Sequence, residues 1–332
     1  MMATPSLQPV LSLRDLTVEI PTRRGTLVPV DQVSFDIAPG EILGVVGESG
    51  AGKSMTGNAV IGLLDRPAKI ASGEVYLNDR RIDDLPADKM RRLRGKQIGM
   101  IFQDPLTSLN PLLRIGDQLV ETMRTHLDLG ATDARARAIA ALDEVGIPAA
   151  AERIDSYPHQ FSGGMRQRAV IALALCAEPT LVIADEPTTA LDVSVQAQII
   201  ALLKRICRQR GVAVMLITHD IGVIAETADR VAVMYAGRLA EIGAVEDVLL
   251  RPHHPYSRGL LDSAPAASVG ARRLRQIPGA MPRLTALPAG CAFSPRCERA
   301  QDRCHHGATP RLEADHGRAA CWFPLQVAEA GS

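Results

Sequence analysis

Apolar and polar residues alternate from Leu11 to Ile20 and again from Gln32 to Ile37, the pattern of two strands with one buried face. Pro39-Gly40 supplies the turn that follows them. Glu41 to Val46 is a short apolar run suited to a buried strand, and it leads into a glycine-rich loop and a helical stretch from Lys53 to about Leu64. Ser72 to Leu77 predicts another strand, and Asp88 to Lys96 a basic helix whose charges form a solvated face. Between Pro105 and Pro158 the pattern turns helical, with Ile115 to His126 and Asp133 to Val145 carrying apolar residues at spacings of three and four. Leu181 to Ala184, Ala213 to Ile217 and Arg230 to Met234 are short apolar segments separated by helical patterns such as Ser194 to Gln209. Strands alternating with helices predict a parallel α/β sheet, interrupted by a helical insertion. From about Arg251 the composition shifts toward Pro, Arg, His and Cys and the periodicity fades, which predicts a loop-rich tail.

The length of 332 residues allows one large domain and a smaller appendage. Lys+Arg 37 balance Asp+Glu 37, which argues against binding a polyanion through the overall field, and Trp 1, Tyr 4 and Phe 5 are too few for base stacking. A nucleic-acid partner is therefore not expected. The longest apolar run, Ala169 to Ala177, falls far short of the ~20 residues a membrane helix requires. The first residues lack a basic n-region, and Arg14 and Asp15 interrupt any apolar signal segment, so a cytosolic chain is expected. In that reducing compartment the concentration of Cys291, Cys297, Cys304 and Cys321 in the tail points to metal rather than disulfides. Four thiolates suit Zn²⁺ or a [4Fe-4S] cluster, with His305, His306 and His316 as competing ligands.

Three segments carry phosphate chemistry. Gly47-Glu48-Ser49-Gly50-Ala51-Gly52-Lys53-Ser54, with Met55 after it, fits G-x-x-x-x-G-K-[ST] between a predicted strand and a predicted helix. Its glycines let backbone N–H groups wrap phosphates at a helix N-terminus, Lys53 would reach the β- and γ-phosphates, and Ser54 would hold Mg²⁺. Leu181 to Ala184 is an apolar strand ending in Asp185 and Glu186; Asp185 would serve Mg²⁺ and Glu186 would polarise the attacking water. Ser162-Gly163-Gly164 opens an apolar helix, either as a second anion site or as a plain cap and turn.

These segments, together with Gln103 after an apolar strand, Phe161-Ser-Gly-Gly-Met-Arg-Gln-Arg, Ala190-Leu191-Asp192 and Thr218-His219-Asp220, occur in an order that resembles an ABC transporter nucleotide-binding subunit. The resemblance covers about Leu11 to Leu250. Beyond it, His254-Pro-Tyr-Ser-Arg-Gly-Leu-Leu261 and Gly290-Cys-Ala-Phe-Ser-Pro-Arg-Cys297 look like the C-terminal extension of the oligopeptide/dipeptide importer branch.

The resemblance implies a P-loop α/β core with an N-terminal antiparallel sheet over residues 1–250, a helical subdomain at about 105–175, and a small cysteine-bearing extension over 251–332. It implies ATP hydrolysis driving uptake of di- or oligopeptides; the same role in nickel, glutathione or opine uptake, and a soluble ABC-type ATPase, are the alternatives. ATP would lie between the Gly47 to Ser54 loop of one subunit and Ser162-Gly163-Gly164 of a second, identical or homologous one. Gln103 would sense Mg²⁺ and the attacking water, His219 would contact the γ-phosphate, and Asp192 would couple the two sites. The implied partners are two transmembrane permease subunits and an extracytoplasmic substrate-binding protein, with the chain peripheral on the cytoplasmic face of the inner membrane. Similar tails imply an iron-sulfur cluster on the four cysteines. By position Ile20 replaces the aromatic on which family members commonly stack adenine.

Overall fold

The computed structural model describes residues 8–23, 25–189, 191–263, 276–312 and 318–325. Strands β1 (Leu11–Thr22), β2 (Gly25–Ile37) and β3 (Ile42–Val46) come first, then helix α1 (Lys53–Ile61), β4 (Lys69–Leu77), the short β5 (Arg80–Arg81), α2 (Ala87–Leu93) and β6 (Ile98–Ile101). A helical run follows: α3 (Pro105–Ser108), α4 (Ile115–His126), α5 (Ala131–Glu144), α6 (Ala150–Arg153) and α7 (Gly163–Leu175). The remainder is β7 (Leu181–Asp185), α8 (Val193–Arg210), β8 (Ala213–Ile217), α9 (Ile221–Thr227), β9 (Arg230–Tyr235), β10 (Arg238–Ala244), α10 (Val245–Leu250), α11 (Pro255–Asp262) and α12 (Asp302–His305). Two compact units emerge from this order: one takes in the chain through Leu11, Asp36–Ile42 and Tyr76–Leu216, the other Ser12–Phe35, Leu43–Val75 and the chain from Ile217 onward.

In the first unit β6 and β7 run parallel, with Ile98 opposite Leu181 and Ile101 opposite Ala184. Every residue of β7 and β8 is buried, which is why, up to Asp185 at the end of β7, their sequences are continuous apolar runs instead of alternations. Helix α7 packs on β6, where Gly99 leaves no room for a side chain: a Cβ would stand 2.4 Å from the Ala174 carbonyl oxygen. The apolar stripe of α4 buries Ile115, Leu119 and Met123, and that of α5 buries Ala134, Ala138 and Leu142. Each set recurs every fourth residue, one face of a helix, and burying each large side chain contributes roughly 1.5–3 kcal/mol.

In the second unit β3 lies parallel to β9, and β10 folds back antiparallel on β9 from the turn at Ala236-Gly237. Helix α1 ends sooner than the pattern predicts, because Gly62 adopts φ 68° and its N–H closes the helix on the Ala59 and Asn58 carbonyls. Helix α9 fills the predicted helical interval between β8 and β9, whereas β10, α10 and α11 are additions to the predicted set. β10 interrupts its apolar run with Glu241 and Gly243, and α11 opens on Pro255, a residue that reads as loop but suits the first turn of a helix.

The tail is held by buried polar groups more than by regular structure. Glu241 is wholly buried; its carboxylate accepts the backbone N–H groups of His253 (2.7 Å) and His254 (3.0 Å), fixing the approach to α11. Burial raises its pKa, and those hydrogen bonds act in the opposite sense. His254 caps α11 by accepting the Tyr256 N–H at Nδ1 (3.0 Å). That role needs a neutral ring, and burial pushes the His254 pKa down to about 4. Ala320 N–H donates to the Ala240 carbonyl and Ile242 N–H to that of Arg318, so the last described segment lies along β10. Among the described residues no helix is long and apolar enough to cross a membrane.

Candidate functional site

The glycine-rich loop leaves β3 at Val46 and enters α1 at Lys53. Gly47 (φ +152°) and Gly52 (φ +104°) occupy backbone conformations that L side chains rarely adopt, and a Cβ on either would stand 2.3 Å from a backbone oxygen, of Met234 and Pro29 respectively. The loop is therefore a tight cradle that only these glycines permit. Lys53, 6% exposed, folds back across it and donates from Nζ to the carbonyls of Gly47 (2.8 Å) and Glu48 (3.0 Å). A cation at the mouth of a loop that precedes a helix N-terminus favours an anionic group there. Ser54 and Met55 form the first turn of α1, and Ser49, Gly50 and Ala51 complete the loop, with Gly237 N–H donating to the Ala51 carbonyl (3.0 Å).

At the end of β7 Asp185 is buried, and Glu186 follows in the left-handed region at φ 46°. A non-glycine residue there costs on the order of 1–3 kcal/mol and persists only where its surroundings fix it. The fixing groups are visible. Glu186 Oε2 accepts from Gln103 Nε2 (3.1 Å) and from the Thr189 hydroxyl (2.8 Å). Gln103 and Glu186 are thus brought together as two candidate site residues. Thr189 is a partner that no motif signals, since its role depends on a turn placing it back over the residue three positions earlier.

The remaining predicted residues stand at helix ends and strand ends. Ser162 caps α7 and accepts the Met165 N–H (3.3 Å), leaving Ser162 and Gly163 exposed. Asp192, exposed, occupies the N-cap of α8, while its neighbour Ala190 lies outside the described residues. His219 is exposed just beyond β8, in a turn secured by Thr218 N–H to Val45 O (3.2 Å) and by Asp220, whose carboxylate caps α9. The hydrogen bond to Val45 sets that turn beside the strand that leads into the glycine loop.

Cys291, Cys297, Cys304 and Cys321 line one small cavity together with Phe293, Ser294 and Trp322. Burial raises the thiol pKa of Cys291, of Cys297 and of Cys321, the last to about 11. Two hydrogen-bonding atoms of the cavity wall, Ser294 Oγ and Trp322 Nε1, are buried without a hydrogen-bond partner among the described residues. Among the described residues, no three His, Cys, Asp or Glu side chains are arranged to hold a metal ion. His305 and His306 pair with each other edge to face, and His316 lies outside the described residues.

A strand–glycine loop–helix unit, with an acidic pair closing a second buried strand, defines a P-loop nucleotide-binding cassette. Residues 30–189 match the family model described as ABC transporter, and residues 240–304 match that of the oligopeptide/dipeptide transporter C-terminal region. The chain is 48% identical over 327 residues, 97% of each chain, to the dipeptide transport ATP-binding protein DppD of Bacillus subtilis (strain 168). It is 46% identical over 329 residues, 98% of this chain and 97% of the other, to the oligopeptide transport ATP-binding protein OppD of Salmonella typhimurium. Among solved structures, the dimeric ATP-binding cassette MJ0796 bound to ADP and Pi shares 28% identity at a TM-score of 0.64, covering 71% of this chain and 98% of that one. The chain belongs to the ABC transporter ATP-binding family, and its activity is ATP hydrolysis.

Glu186→Gln keeps the shape of the side chain but cannot take up a proton. Steady-state phosphate release is expected to fall by roughly 10²- to 10⁴-fold, the usual worth of a general base, while ATP binding is retained. Turnover within threefold of the unaltered protein would show that Glu186 is not the base.

Proposed function

We propose that this chain is the ATP-hydrolysing subunit of a peptide importer, working at the cytoplasmic face of the membrane on behalf of separate transmembrane permease subunits and an extracytoplasmic substrate-binding protein. The observation that carries the reading is similarity along nearly the whole chain to dipeptide and oligopeptide transport ATP-binding proteins, the C-terminal region included. The cassette takes residues 1–250, with its helical subdomain at about 105–175, and the extension takes 251–332.

In this reading the backbone of Gly47 to Ser54, with Met55 and Lys53, receives the ATP phosphates. Ser54, Gln103 and Asp185 are each read as residues whose side-chain oxygens would hold Mg²⁺, a cation that prefers oxygen ligands. Bound there, the cation would neutralise phosphate charge. Glu186 takes the proton of the attacking water, held for that purpose by Gln103 and Thr189. His219 contacts the γ-phosphate and Asp192 couples the paired sites. Ser162, Gly163 and Gly164 present an exposed helix N-terminus to the nucleotide of a second ATP-binding subunit. Three exposed apolar side chains, Phe102 (41%) next to Gln103 in the chain and Leu112 (82%) and Leu113 (37%) further along the same segment, are read as the surface on which a permease subunit docks.

The cysteines are read as the ligands of a [4Fe-4S] cluster, with Zn²⁺ as the alternative. Support comes from four cysteines lining one cavity and from two polar atoms there, Ser294 Oγ and Trp322 Nε1, that have no partner among the described residues. A cluster would supply acceptor sulfides for such donors and order a tail poor in regular structure.

Ser162→Arg is expected to leave ATP binding to the isolated subunit within about twofold while blocking ATP-driven dimerisation in sedimentation and peptide uptake in permease-containing vesicles. Loss of binding to the isolated subunit would place the segment in the chain's own site. Anaerobically purified protein should be brown and hold about four iron atoms per chain. Stoichiometric zinc without iron would assign the cavity to zinc, and the absence of both would remove the metal reading.

A further inference from the structure

The glycine loop is gripped by the C-terminal tail through a residue of the loop itself. Glu48, the first variable position after Gly47, has its N–H donating to the Tyr256 hydroxyl oxygen (2.9 Å) and its carbonyl accepting from Lys53. Its carboxylate is held two-pronged by Arg296: Nη1 to Oε2 at 2.9 Å and Nη2 to Oε1 at 3.0 Å. Arg296 is 8% exposed and spends two further donors inside the same cluster, Nε on the Pro278 carbonyl (2.9 Å) and Nη1 also on the Tyr235 hydroxyl (3.3 Å). Tyr235, Tyr256 and Phe293 pack around it with ring centroids 4.6 to 5.4 Å apart.

A two-pronged pair of this kind fixes the position of Glu48 and sets a buried guanidinium against its carboxylate. The charge matters because the carboxylate stands in a loop built for a polyanion, where an unneutralised negative group opposes the phosphates. The fork is also tied to the cysteine cavity. Cys297 follows Arg296 directly, Arg296 N–H donates to Phe293 O, and Ser294 N–H donates to Cys291 O.

We propose that Arg296 and Tyr256 are positioning residues for ATP binding: the C-terminal extension holds and neutralises Glu48, so the affinity of the glycine loop for nucleotide depends on the folded, cysteine-lined tail. The proposal rests on the reading that Gly47 to Ser54 receives the ATP phosphates.

The test uses the full chain and measures kcat, KM for ATP and equilibrium ATP binding in Lys53→Ala, Arg296→Met, Arg296→Lys and the pair Arg296→Met/Glu48→Gln. Lys53→Ala should lose ATP binding; if it does not, the phosphate-loop reading itself fails. With that control in place, Arg296→Met should raise KM at least fivefold, by a larger factor than kcat falls. Adding Glu48→Gln should then bring KM back by at least twofold, because it removes the stranded charge. Arg296→Lys, which keeps the charge but loses the fork, should shift KM less in the same direction and serves if the Met variant does not fold. An unchanged KM in the folded Arg296 variants, a loss confined to kcat, or a double variant no better than Arg296→Met would overturn the proposal. A Cys297→Ser change should raise KM in the unaltered background and add nothing to Arg296→Met; additive effects would break the link to the cysteine cavity.

Discussion

The backbone of the phosphate loop can close only because glycines stand at the two positions where it passes hard against neighbouring backbone. A Cβ added at Gly47 or at Gly52 would stand 2.3 Å from a neighbouring carbonyl oxygen, and each residue sits at a positive φ. For an ordinary residue the backbone conformation alone costs roughly 1–2 kcal/mol, before any clash is counted. From that closure follow the position of Lys53 over the Gly47 and Glu48 carbonyls, the start of α1, and the packing of the loop against the β9–β10 turn through Gly237.

The loop needs bracing because a sharply bent, polar segment buries little apolar surface of its own. Bracing comes from long-range contacts within the second unit. Tyr256 and Arg296 hold Glu48 from residues more than two hundred positions along the chain, and the tail that carries them is itself anchored to β10 by the buried Glu241. A buried carboxylate and a buried neutral histidine thus fix α11, and α11 fixes the loop. In the first unit a similar economy applies to Glu186, whose strained backbone is held by Gln103 and Thr189.

Much of this was legible in the sequence wherever a feature was local. The buried strands β3, β7 and β8 declare themselves as continuous apolar runs, α4 and α5 as stripes at spacings of three and four, and the glycine loop as a motif between strand and helix. What stayed hidden depends on distance. β10 carries a glutamate in mid-strand, and only the structure shows that Glu241 is buried because two backbone N–H groups converge on it. Thr189 acts through a turn, and Arg296 and Glu48 are separated by 248 positions, a pairing that no window of sequence can display. The four cysteines were conspicuous by composition, but Ser294 Oγ and Trp322 Nε1, without a partner among the described residues, were not.

The central claim, that the closed glycine loop is the seat of the triphosphate, is tested most directly by calorimetric titration of Mg-ATP into the purified chain and into Gly52→Ala. One ATP per chain is expected for the unaltered protein. For the variant, whose added methyl would meet the Pro29 carbonyl, binding should be weaker by at least tenfold with secondary structure content preserved. Equal affinity in the two proteins would show that the triphosphate is bound elsewhere.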